Sequence, residues 1–355
     1  MLTLRVGVCI STFSTESRNE YYNIELVDAA NKLVTQVRPV ELGQQVLITF
    51  DTASDGRVAR ATAGAAYSKG GIPTVIFYPT LPEPMANPPL PVSKAVLGAD
   101  VWFDFSVAYQ LYSPAYYKAI ENGCIYVCLT GLDVDMMVRA IGRVNYQPMQ
   151  MMASLLYQMS QASEKVIVTS PAGTNIEMLV DKKGDPFWEA PPSEGGFPQM
   201  LGGQSGYMIQ RESVEGVLVF DGAIWPPAEL GLIQSPVRLS IESGYVKQID
   251  GEEEATVFSR WLDSFDHAEA YLIDHACYGF NPGVTRPSGR ILEDERVFGC
   301  MQFGIGATEL GSPAHTDGVV LNPSVWLDDL QIEEEGRYLA PEIISLCKDM
   351  GAPGY

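Results

Sequence analysis

The order of helix-like and strand-like segments restricts the fold of this chain more than any other feature of its sequence. Up to about residue 164, segments with the apolar spacing of a helix alternate with short apolar segments that are typical of strands. The helix-like segments are 21–37, 56–71 and 113–123, and the strand-like segments are 44–51, 73–79, 99–106 and 124–131. This β-α-β order predicts an α/β domain with a mostly parallel sheet covered by helices.

Two parts of this first half allow more specific expectations. The first helix has apolar residues spaced roughly as one buried face, namely Ile24, Val27, Leu33 and Val37. The proline-rich segment 78–91 cannot continue a helix or a central strand, because proline lacks the backbone N–H. We expect this segment to form an extended loop over the surface or over a binding site.

After residue 164 the pattern changes to short strands separated by turns rich in glycine, proline and asparagine. These strand-bearing segments are 165–181, 216–225, 236–250, 299–310 and 318–328, with one amphipathic helix over 251–265. A methionine-rich helix over 151–164 precedes the change, and its apolar stripe is more typical of a core or a subunit contact than of a cofactor site. The chain is therefore predicted to have an α/β domain over 1–164 and a β-rich (α+β) domain over 165–355.

Charge and composition exclude several classes of function. The 355 residues carry a formal net charge of −21, which repels nucleic acid phosphates and anionic membrane surfaces alike. No segment has the roughly 18 or more apolar residues of a membrane span, and the first residues lack the pattern of a secretion signal. The six cysteines are scattered, mostly in apolar runs, so we expect them to be reduced and buried in a cytoplasmic protein.

Histidine is scarce in this chain, yet one of its three histidines lies two positions from a carboxylate. His315 and Asp317 flank a single threonine at the start of an apolar run. Along a strand, residues i and i+2 point to the same face and lie about 6.6 Å apart. The pair can therefore converge on one metal ion, although a catalytic metal generally needs a third protein ligand.

The two other histidines differ in their surroundings. His275 lies in the apolar run 271–283, where it needs a partner, whereas His267 lies in a polar cluster and is expected at the surface or at a helix end. His275 with the His315–Asp317 pair would form the facial triad of mononuclear non-haem Fe(II) oxygenases, or would hold zinc for hydrolysis. The residues alone leave a third interpretation open, in which the two apolar-run histidines are hydrogen-bonded core residues without a metal.

Six segments of the second half follow one another in an order that belongs to a known family. They are 170–179, 213–225, 235–251, 274–283, 304–311 and 314–328. In these segments the chain resembles the family that joins M29-type metalloaminopeptidases to 2,5-dihydroxypyridine 5,6-dioxygenases. The first half is similar in a looser way, through 37–51 and the helix that follows.

The two branches of this family differ at the metal. The peptidases have a two-metal centre, with a glutamate where this chain has His275 and a histidine where it has Gln302. The dioxygenases have a histidine at the first of these places and hold iron with it and with the His-x-Asp pair. The resemblance therefore implies that His275, His315 and Asp317 hold Fe(II) in this chain.

On the substrate side the chain departs from the dioxygenases. Where they have a histidine that serves as an acid or base, this chain has Tyr112, and where they offer a serine to the substrate it has Gly304. The resemblance thus implies Tyr112 as the catalytic acid or base and as a substrate contact, with Gly304 beside it. Glu309 follows a Thr-Glu pattern of the family and is implied as a catalytic residue that supports a ligating histidine, although the residues alone also allow a turn carboxylate in water.

Other groups remain open for these roles. A general base could also be Asp104, His267 or a water molecule. The glycine-rich segment 195–209 is expected to form either a flexible wall or lid of the site, or a plain surface loop.

Taken with the resemblance, the sequence predicts a ring-cleaving (extradiol-type), non-haem Fe(II)-dependent dioxygenase. Its partners would be O2 and a hydroxylated pyridine like 2,5-dihydroxypyridine, or a related hydroxylated aromatic. One alternative is a mononuclear metal-dependent hydrolase, an aminopeptidase or amidase, and another is a binding or scaffold protein that has kept the fold without the metal. The resemblance and the methionine-rich helix also favour a homo-oligomer.

Overall fold

A computed structural model of the chain describes residues 22–183, 187–188 and 200–355. Its helices are α1 (Asn23–Lys32), α2 (Gly56–Ser68), α3 (Leu90–Ala95), α4 (Pro114–Glu121), α5 (Val134–Met137), α6 (Tyr146–Ala162), α7 (Glu253–Asp263), α8 (Ile291–Asp294) and α9 (Pro341–Met350). Its first strands are β1 (Gln45–Asp51), β2 (Ile72–Tyr78), β3 (Val101–Asp104), β4 (Ile125–Cys128), β5 (Lys165–Thr169), β6 (Asn175–Leu179), β7 (Phe187–Trp188), β8 (Gln204–Met208), β9 (Glu215–Phe220) and β10 (Ala223–Trp225). The later strands are β11 (Gly231–Leu232), β12 (Val237–Glu242), β13 (Tyr245–Asp250), β14 (Ile273–Gly279), β15 (Cys300–Ile305), β16 (Thr316–Leu321), β17 (Ser324–Leu327), β18 (Leu330–Glu334) and β19 (Arg337–Tyr338). Among the described helices, none is long and apolar enough to cross a membrane.

The first half contains the parallel sheet that the sequence predicts. Its strands lie in the order β2-β1-β3-β4, and each neighbouring pair is parallel. Helices fill the connections because a parallel pair needs a crossover from one end of the sheet to the other. The predicted α/β class is confirmed, and the loops at 52–55, 105–113 and 129–133 all leave from the carboxyl ends of the strands, where open α/β sheets bind ligands.

Local sequence sets the ends of the helices in this half. The side chain of Asp55 accepts a hydrogen bond from the backbone N–H of Arg57 (3.1 Å) and so caps α2. Ser113 caps α4 in the same way, accepting from the N–H of Tyr116 (3.1 Å), and Pro114 fills the first helical position, where its missing N–H is not needed.

The predicted buried face of the first helical segment is confirmed at Leu33 and Val37 and is wrong at Ile24 and Val27. Ile24 is 87% exposed and Val27 is 60% exposed, whereas the inward face is formed by Leu26, Ala29 and Ala30 of α1 and by Leu33, Val34 and Val37 of the π-helical turn (Leu33–Val37) that continues α1. Part of this face packs closely against its neighbour, because a side chain at Gly142 would meet the methyl group of Ala29 at 3.0 Å.

The second half contains two antiparallel sheets, as its β-rich pattern predicts. Seven strands lie in the order β11-β10-β16-β15-β14-β8-β7, and eight lie in the order β13-β12-β9-β6-β5-β17-β18-β19. The two sheets are in contact where the buried ring of Phe220 on β9 lies over Gly318 on β16. Only a glycine fits at 318, since a side chain there would come within 2.3 Å of that ring. The predicted amphipathic helix is α7, which buries Phe258 and Leu262.

Helix α6 joins the halves and is longer than its predicted range. Met149 and Met152 are buried, in agreement with a role of the methionine stripe in the core. The hydroxyl of Ser160 shares a hydrogen bond with that of Tyr278 on β14 (2.9 Å), so α6 is tied to the seven-stranded sheet. The predicted domain boundary falls between α6 and β5, and the division into 1–164 and 165–355 stays a prediction.

Five cysteines lie in the described part, and all are free and buried: Cys124, Cys128, Cys277, Cys300 and Cys347. Cys9 lies outside the described residues. Burial, together with the nearby Asp104 carboxylate, raises the pKa of the Cys128 thiol to about 12, so this thiol stays protonated at neutral pH. The predicted reduced state agrees with this burial.

Residues 79–89 of the proline-rich segment form an irregular loop between β2 and α3, as predicted, whereas Tyr78 ends β2 and Leu90 and Pro91 begin α3. Its residue Met85 donates a backbone hydrogen bond to the carbonyl of Tyr109 (2.9 Å) and packs in a cluster that includes Tyr112 and Trp225. The loop therefore supports the aromatic wall of the cavity described next.

Candidate metal centre

Three neighbouring strands bring the proposed ligands into one row. In the antiparallel register of β14, β15 and β16, His275 lies opposite Gly304, and Gly304 lies opposite Asp317. Directly opposed residues of an antiparallel pair point to the same face of the sheet. His275 and Asp317, far apart in the chain, therefore face the same space across the middle strand.

Gly304 is the residue that makes this row possible. A side chain at 304 would lie 2.3 Å from Cε1 of His275, so the imidazole occupies the space above the glycine. The predicted place of Gly304 beside the site is thus explained by sterics. Its role as a substrate contact stays a prediction.

Two imidazoles converge on one carboxylate oxygen. Nε2 of His275 and Nε2 of His315 each lie 3.4 Å from Oδ1 of Asp317. The two rings are stacked, with centroids 5.3 Å apart. All three side chains are at most 15% exposed, so the sequence-predicted trio is brought together in a buried position.

The other nitrogen of each ring faces away from Asp317 and has its own acceptor. Nδ1 of His315 lies 2.9 Å from the carbonyl oxygen of Gly306, and Nδ1 of His275 lies 3.1 Å from Oδ2 of Asp274. Donation from both Nδ1 atoms leaves both Nε2 lone pairs for a metal, since the partner of one ring nitrogen fixes the tautomer.

Asp274 brings a second carboxylate to the histidines, and the sequence reasoning missed it. One ligand atom each from Asp274, His275 and His315 lie within 4.8 Å of one another. Oδ1 of Asp274, however, accepts a hydrogen bond from Arg211 (2.7 Å), and its Oδ2 faces the Nδ1 side of His275. Asp274 is therefore placed to orient the ring of His275 through its Nδ1 atom, whereas Asp317 faces the Nε2 atoms of both histidines. The signal in the sequence was its position directly before His275.

The side chain of Gln302 lies between His275 and Asp317. Its Nε2 is 3.0 Å from Nε2 of His275 and donates to Oδ1 of Asp317, while its Oε1 accepts from Gln204 (3.4 Å). An amide nitrogen is a donor and not a metal ligand. A metal bound to His275 and Asp317 would therefore require this amide to turn away.

The four charged groups strongly perturb one another. Burial alone would lower the pKa of both imidazoles, but Asp274 and Asp317 raise that of His275 to about 10, and chiefly Asp317 raises that of His315 to about 9. Burial likewise opposes ionisation of Asp317, yet the two imidazoles hold its pKa well below the ordinary value. A divalent cation would replace the protons of the imidazoles as the partner of this carboxylate.

His275, His315 and Asp317 line a small cavity of about 60 Å³. Its walls are Tyr109, Leu111, Tyr112, Cys128, Thr130, Met200, Gln204, Trp225, His275, Ile291, Leu292, Glu295, Arg296, Gln302, His315 and Asp317. One side is aromatic, with the rings of Tyr109 and Trp225 5.6 Å apart, and another is polar. Four of the wall residues also line a wider open cleft of about 490 Å³, which adjoins the carboxyl ends of the parallel sheet.

Tyr112 lies in the cavity wall, as the resemblance implies. Burial, followed by the charge of Asp274, raises the pKa of its hydroxyl well above the usual value, so it keeps its proton at neutral pH. It has a positive φ of 64°, which is costly for a bulky side chain and is typical of functional positions. Its hydroxyl is thus suited to donate a proton or a hydrogen bond, and its catalytic role stays a prediction.

The other predicted groups lie elsewhere or outside the description. Asp104 is fully buried, accepts hydrogen bonds from Thr49 and Tyr126 (both 2.8 Å), and does not line the cavity. His267 is exposed and caps a short 3₁₀ turn, which confirms its predicted surface position. The side chain of Glu309 lies outside the described part, as do residues 195–199 of the predicted lid. Residues 204–208 of that segment form the buried strand β8, second from one edge of the seven-stranded sheet, so the expected lid or surface loop is wrong there.

The family is decided by a model that covers most of the chain. The model of NicX, the 2,5-dihydroxypyridine 5,6-dioxygenase, matches residues 26–340. The chain belongs to the 2,5-dihydroxypyridine 5,6-dioxygenase family. The predicted membership in this M29-related family is thereby confirmed.

Individual relatives agree with this assignment. The 2,5-dihydroxypyridine 5,6-dioxygenase of Pseudomonas putida KT2440 is 29% identical over 155 residues, which are 39% of this chain and 44% of that enzyme. The aligned region therefore spans less than half the length of this curated family member.

Two solved structures share the fold. The structure of 2,5-dihydroxypyridine dioxygenase from Pseudomonas putida KT2440 matches with a TM-score of 0.73 at 20% identity, covering 90% of this chain and 99% of that one. Wild-type AmpT from Thermus thermophilus matches with a TM-score of 0.65 at 16% identity, covering 90% of this chain and 100% of the other. At these identities the matches establish the architecture, with its parallel N-terminal sheet and antiparallel C-terminal sheets.

Proposed function

We propose that the protein is a non-haem Fe(II)-dependent, ring-cleaving dioxygenase that acts on a hydroxylated pyridine, with 2,5-dihydroxypyridine as the type of substrate. The single observation that carries this proposal is the convergence of two imidazole Nε2 atoms on one oxygen of Asp317, each at 3.4 Å, in the wall of a small cavity. Membership in the dioxygenase family supports the reaction type.

The donor set fits a ferrous ion. His275, His315 and Asp317 would hold the metal as two neutral nitrogens and one carboxylate oxygen, the combination of the 2-His-1-carboxylate facial triad. Asp274 would lie behind His275 and, with Arg211, fix its ring. When bound, Fe(II) supplies the redox chemistry that lets O2 react with an electron-rich aromatic ring.

The chain's own residues would position the ring and exclude water. Tyr109, Tyr112 and Trp225 provide the apolar faces against which an aromatic ring packs. The Tyr112 hydroxyl keeps its proton and can donate it, or a hydrogen bond, to an oxygen of the substrate.

The same three ligands would also hold zinc, and the relationship to M29-type peptidases keeps a one-metal hydrolase as the alternative. Purification under anaerobic conditions with iron, followed by oxygen-electrode assays with 2,5-dihydroxypyridine, separates the two. The proposal predicts stoichiometric iron and the consumption of one O2 per ring. Zinc in the purified protein with peptide turnover and no O2 uptake would instead establish the hydrolase.

A further inference from the structure

A buried ion pair in the cavity wall has no role in the site as described so far. Glu295 and Arg296 directly follow α8, and both line the cavity that contains the proposed metal ligands. The side chain of Arg296 is 1% exposed, and that of Glu295 is 11% exposed. A charged pair held beside a small cavity needs either full internal pairing or a ligand.

The guanidinium of Arg296 is fixed on one side only. Its Nε donates to the carbonyl of Leu201 (2.5 Å), and its Nη1 donates to the carbonyl of Leu292 and to Oε2 of Glu295 (both 2.8 Å). Nη2 reaches the sulfur of Met200 at 3.4 Å, a weak acceptor, and within the described ranges it donates to no oxygen. Nη2 therefore retains donor capacity beside the cavity.

The carboxylate of Glu295 offers a hydrogen-bond acceptor beside the donor of Arg296. Its Oε2 accepts from Arg296 (2.8 Å) and from Gln204 (3.2 Å), whereas Oε1 accepts no hydrogen bond from any residue that the structure describes. Gln204 also donates to Gln302, whose amide contacts His275 and Asp317. In the metal-free protein the pair is thus joined to His275 and Asp317 through Gln204 and Gln302.

A donor and an acceptor next to each other match one particular ring edge. In its pyridone form, a 2-hydroxypyridine presents a carbonyl oxygen and an adjacent N–H. We propose that Arg296 donates from Nη2 to that oxygen and that Glu295 accepts the ring N–H at Oε1, so that the two residues select a nitrogen heterocycle over a benzenoid ring. This inference rests on the proposed function for the position of the substrate, and it adds the residues that would determine its specificity.

The test compares two rings that differ only in the ring nitrogen, 2,5-dihydroxypyridine and hydroquinone (1,4-dihydroxybenzene). Their dissociation constants are measured by calorimetry under anaerobic conditions with the metal-loaded protein, and their kcat and KM by O2 uptake. In Glu295→Gln, the amide oxygen would take over the bond from Arg296 and turn an N–H₂ group toward the cavity. We expect the affinity for the pyridine to fall at least about tenfold, because an acceptor has become a donor, with little change for hydroquinone.

Two further variants control for structural damage. Asp294→Asn makes the same chemical change one residue earlier, at a buried side chain that does not line the cavity, and should leave both affinities unchanged. Arg296→Lys retains the charge but loses the fixed planar donor, and it should lower the affinity for the pyridine more than that for hydroquinone. An equal loss for both rings in Glu295→Gln, or no loss for either, would overturn the inference.

The experiment also separates this inference from the proposed function. Ring-selective binding without O2 uptake in the wild-type protein would contradict the dioxygenase and retain the inference. O2 uptake with both rings at similar affinity would retain the dioxygenase and overturn the inference.

Discussion

At the scale of single residues, the site depends on an absent side chain as much as on the three proposed ligands. The imidazole of His275 lies over β15 because Gly304 leaves room for it. A resemblance can place a residue near a substrate, but the steric reason for a glycine appears only when the neighbouring strand is in place.

Gly304→Ala should displace the ring of His275, since the new methyl group would lie 2.3 Å from Cε1. We expect the affinity for Fe(II) to fall at least about tenfold, with a cost in unfolding free energy of about 1–3 kcal/mol. Metal titration and urea unfolding measure these effects. Gly64→Ala, where nothing lies within 4 Å of the added methyl group, should leave metal binding unchanged. Unaltered metal affinity in Gly304→Ala would show that His275 does not need this space.

Asp274→Asn should weaken metal binding although Asp274 is not proposed as a ligand. The change removes the negative charge beside Nδ1 of His275 and the ion pair with Arg211. Loss of such a supporting partner lowers metal affinity by about 10–100-fold. Anaerobic competition with a chelator measures this affinity, and the exposed Asp266→Asn serves as the control. A complete loss of binding, as large as that in Asp317→Asn, would instead make Asp274 a ligand.

The residues that the sequence could predict are those with a local or family signature. His315 and Asp317 were evident from their i, i+2 spacing, and His275 from its scarcity and the resemblance. Glu295 and Arg296 carry no such signature, because their role depends on which atoms their partners leave free in the folded cavity.

At the scale of elements, strands and helices were predicted well where a periodic pattern or a cap defines them. The alternation in the first half became the parallel sheet, and the short strands of the second half became two antiparallel sheets. The buried face of α1 was predicted wrongly at Ile24 and Val27, since the partner of a helix decides which face fits. Strand order was likewise outside the reach of the sequence, because it depends on long-range pairing.

The observed face of α1 and of the turn that continues it makes a direct prediction. Leu33→Ala removes a fully buried side chain and should lower the unfolding free energy by about 2–4 kcal/mol, whereas Val27→Ala, at a 60% exposed position, should change it by less than about 0.5 kcal/mol. Urea denaturation of the two variants measures the difference. Similar losses of unfolding free energy in the two variants would instead indicate that Val27 lies on the buried face, as its spacing predicted.

At the scale of the whole molecule, buried acids couple stability to pH. In the metal-free protein, burial and then the charge of Asp317 raise the pKa of Glu295 from near 4.5 to about 7, so this carboxyl is protonated at pH 5 and becomes the carboxylate acceptor above about pH 7. The folded state therefore keeps a proton that the unfolded chain has already released, and this group lowers the unfolding free energy as the pH rises from about 4.5 to above 7.

Glu295→Gln removes this titration. In the metal-free protein, the stability of the variant relative to the wild type should increase between pH 5 and pH 8 by on the order of 2 kcal/mol. Urea unfolding of both proteins at the two pH values measures the change, and contributions of other groups cancel in the difference. A relative stability that is constant, or that falls with pH, would contradict the raised pKa.

The larger assembly and its setting stay predictions. A homo-oligomer, a cytoplasmic location and a domain division at residue 164 are expectations from sequence and resemblance. Sedimentation of the purified protein tests the first of them.

The central claim is that His275, His315 and Asp317 hold one ferrous ion, and anaerobic equilibrium dialysis against Fe(II) tests it most directly. The account predicts about one iron per wild-type chain, less than about a tenth of that in His275→Ala, His315→Ala and Asp317→Ala, and an unchanged value in His267→Ala, which alters the exposed third histidine. Full iron occupancy in any of the three ligand variants, with the fold intact by circular dichroism, would contradict it.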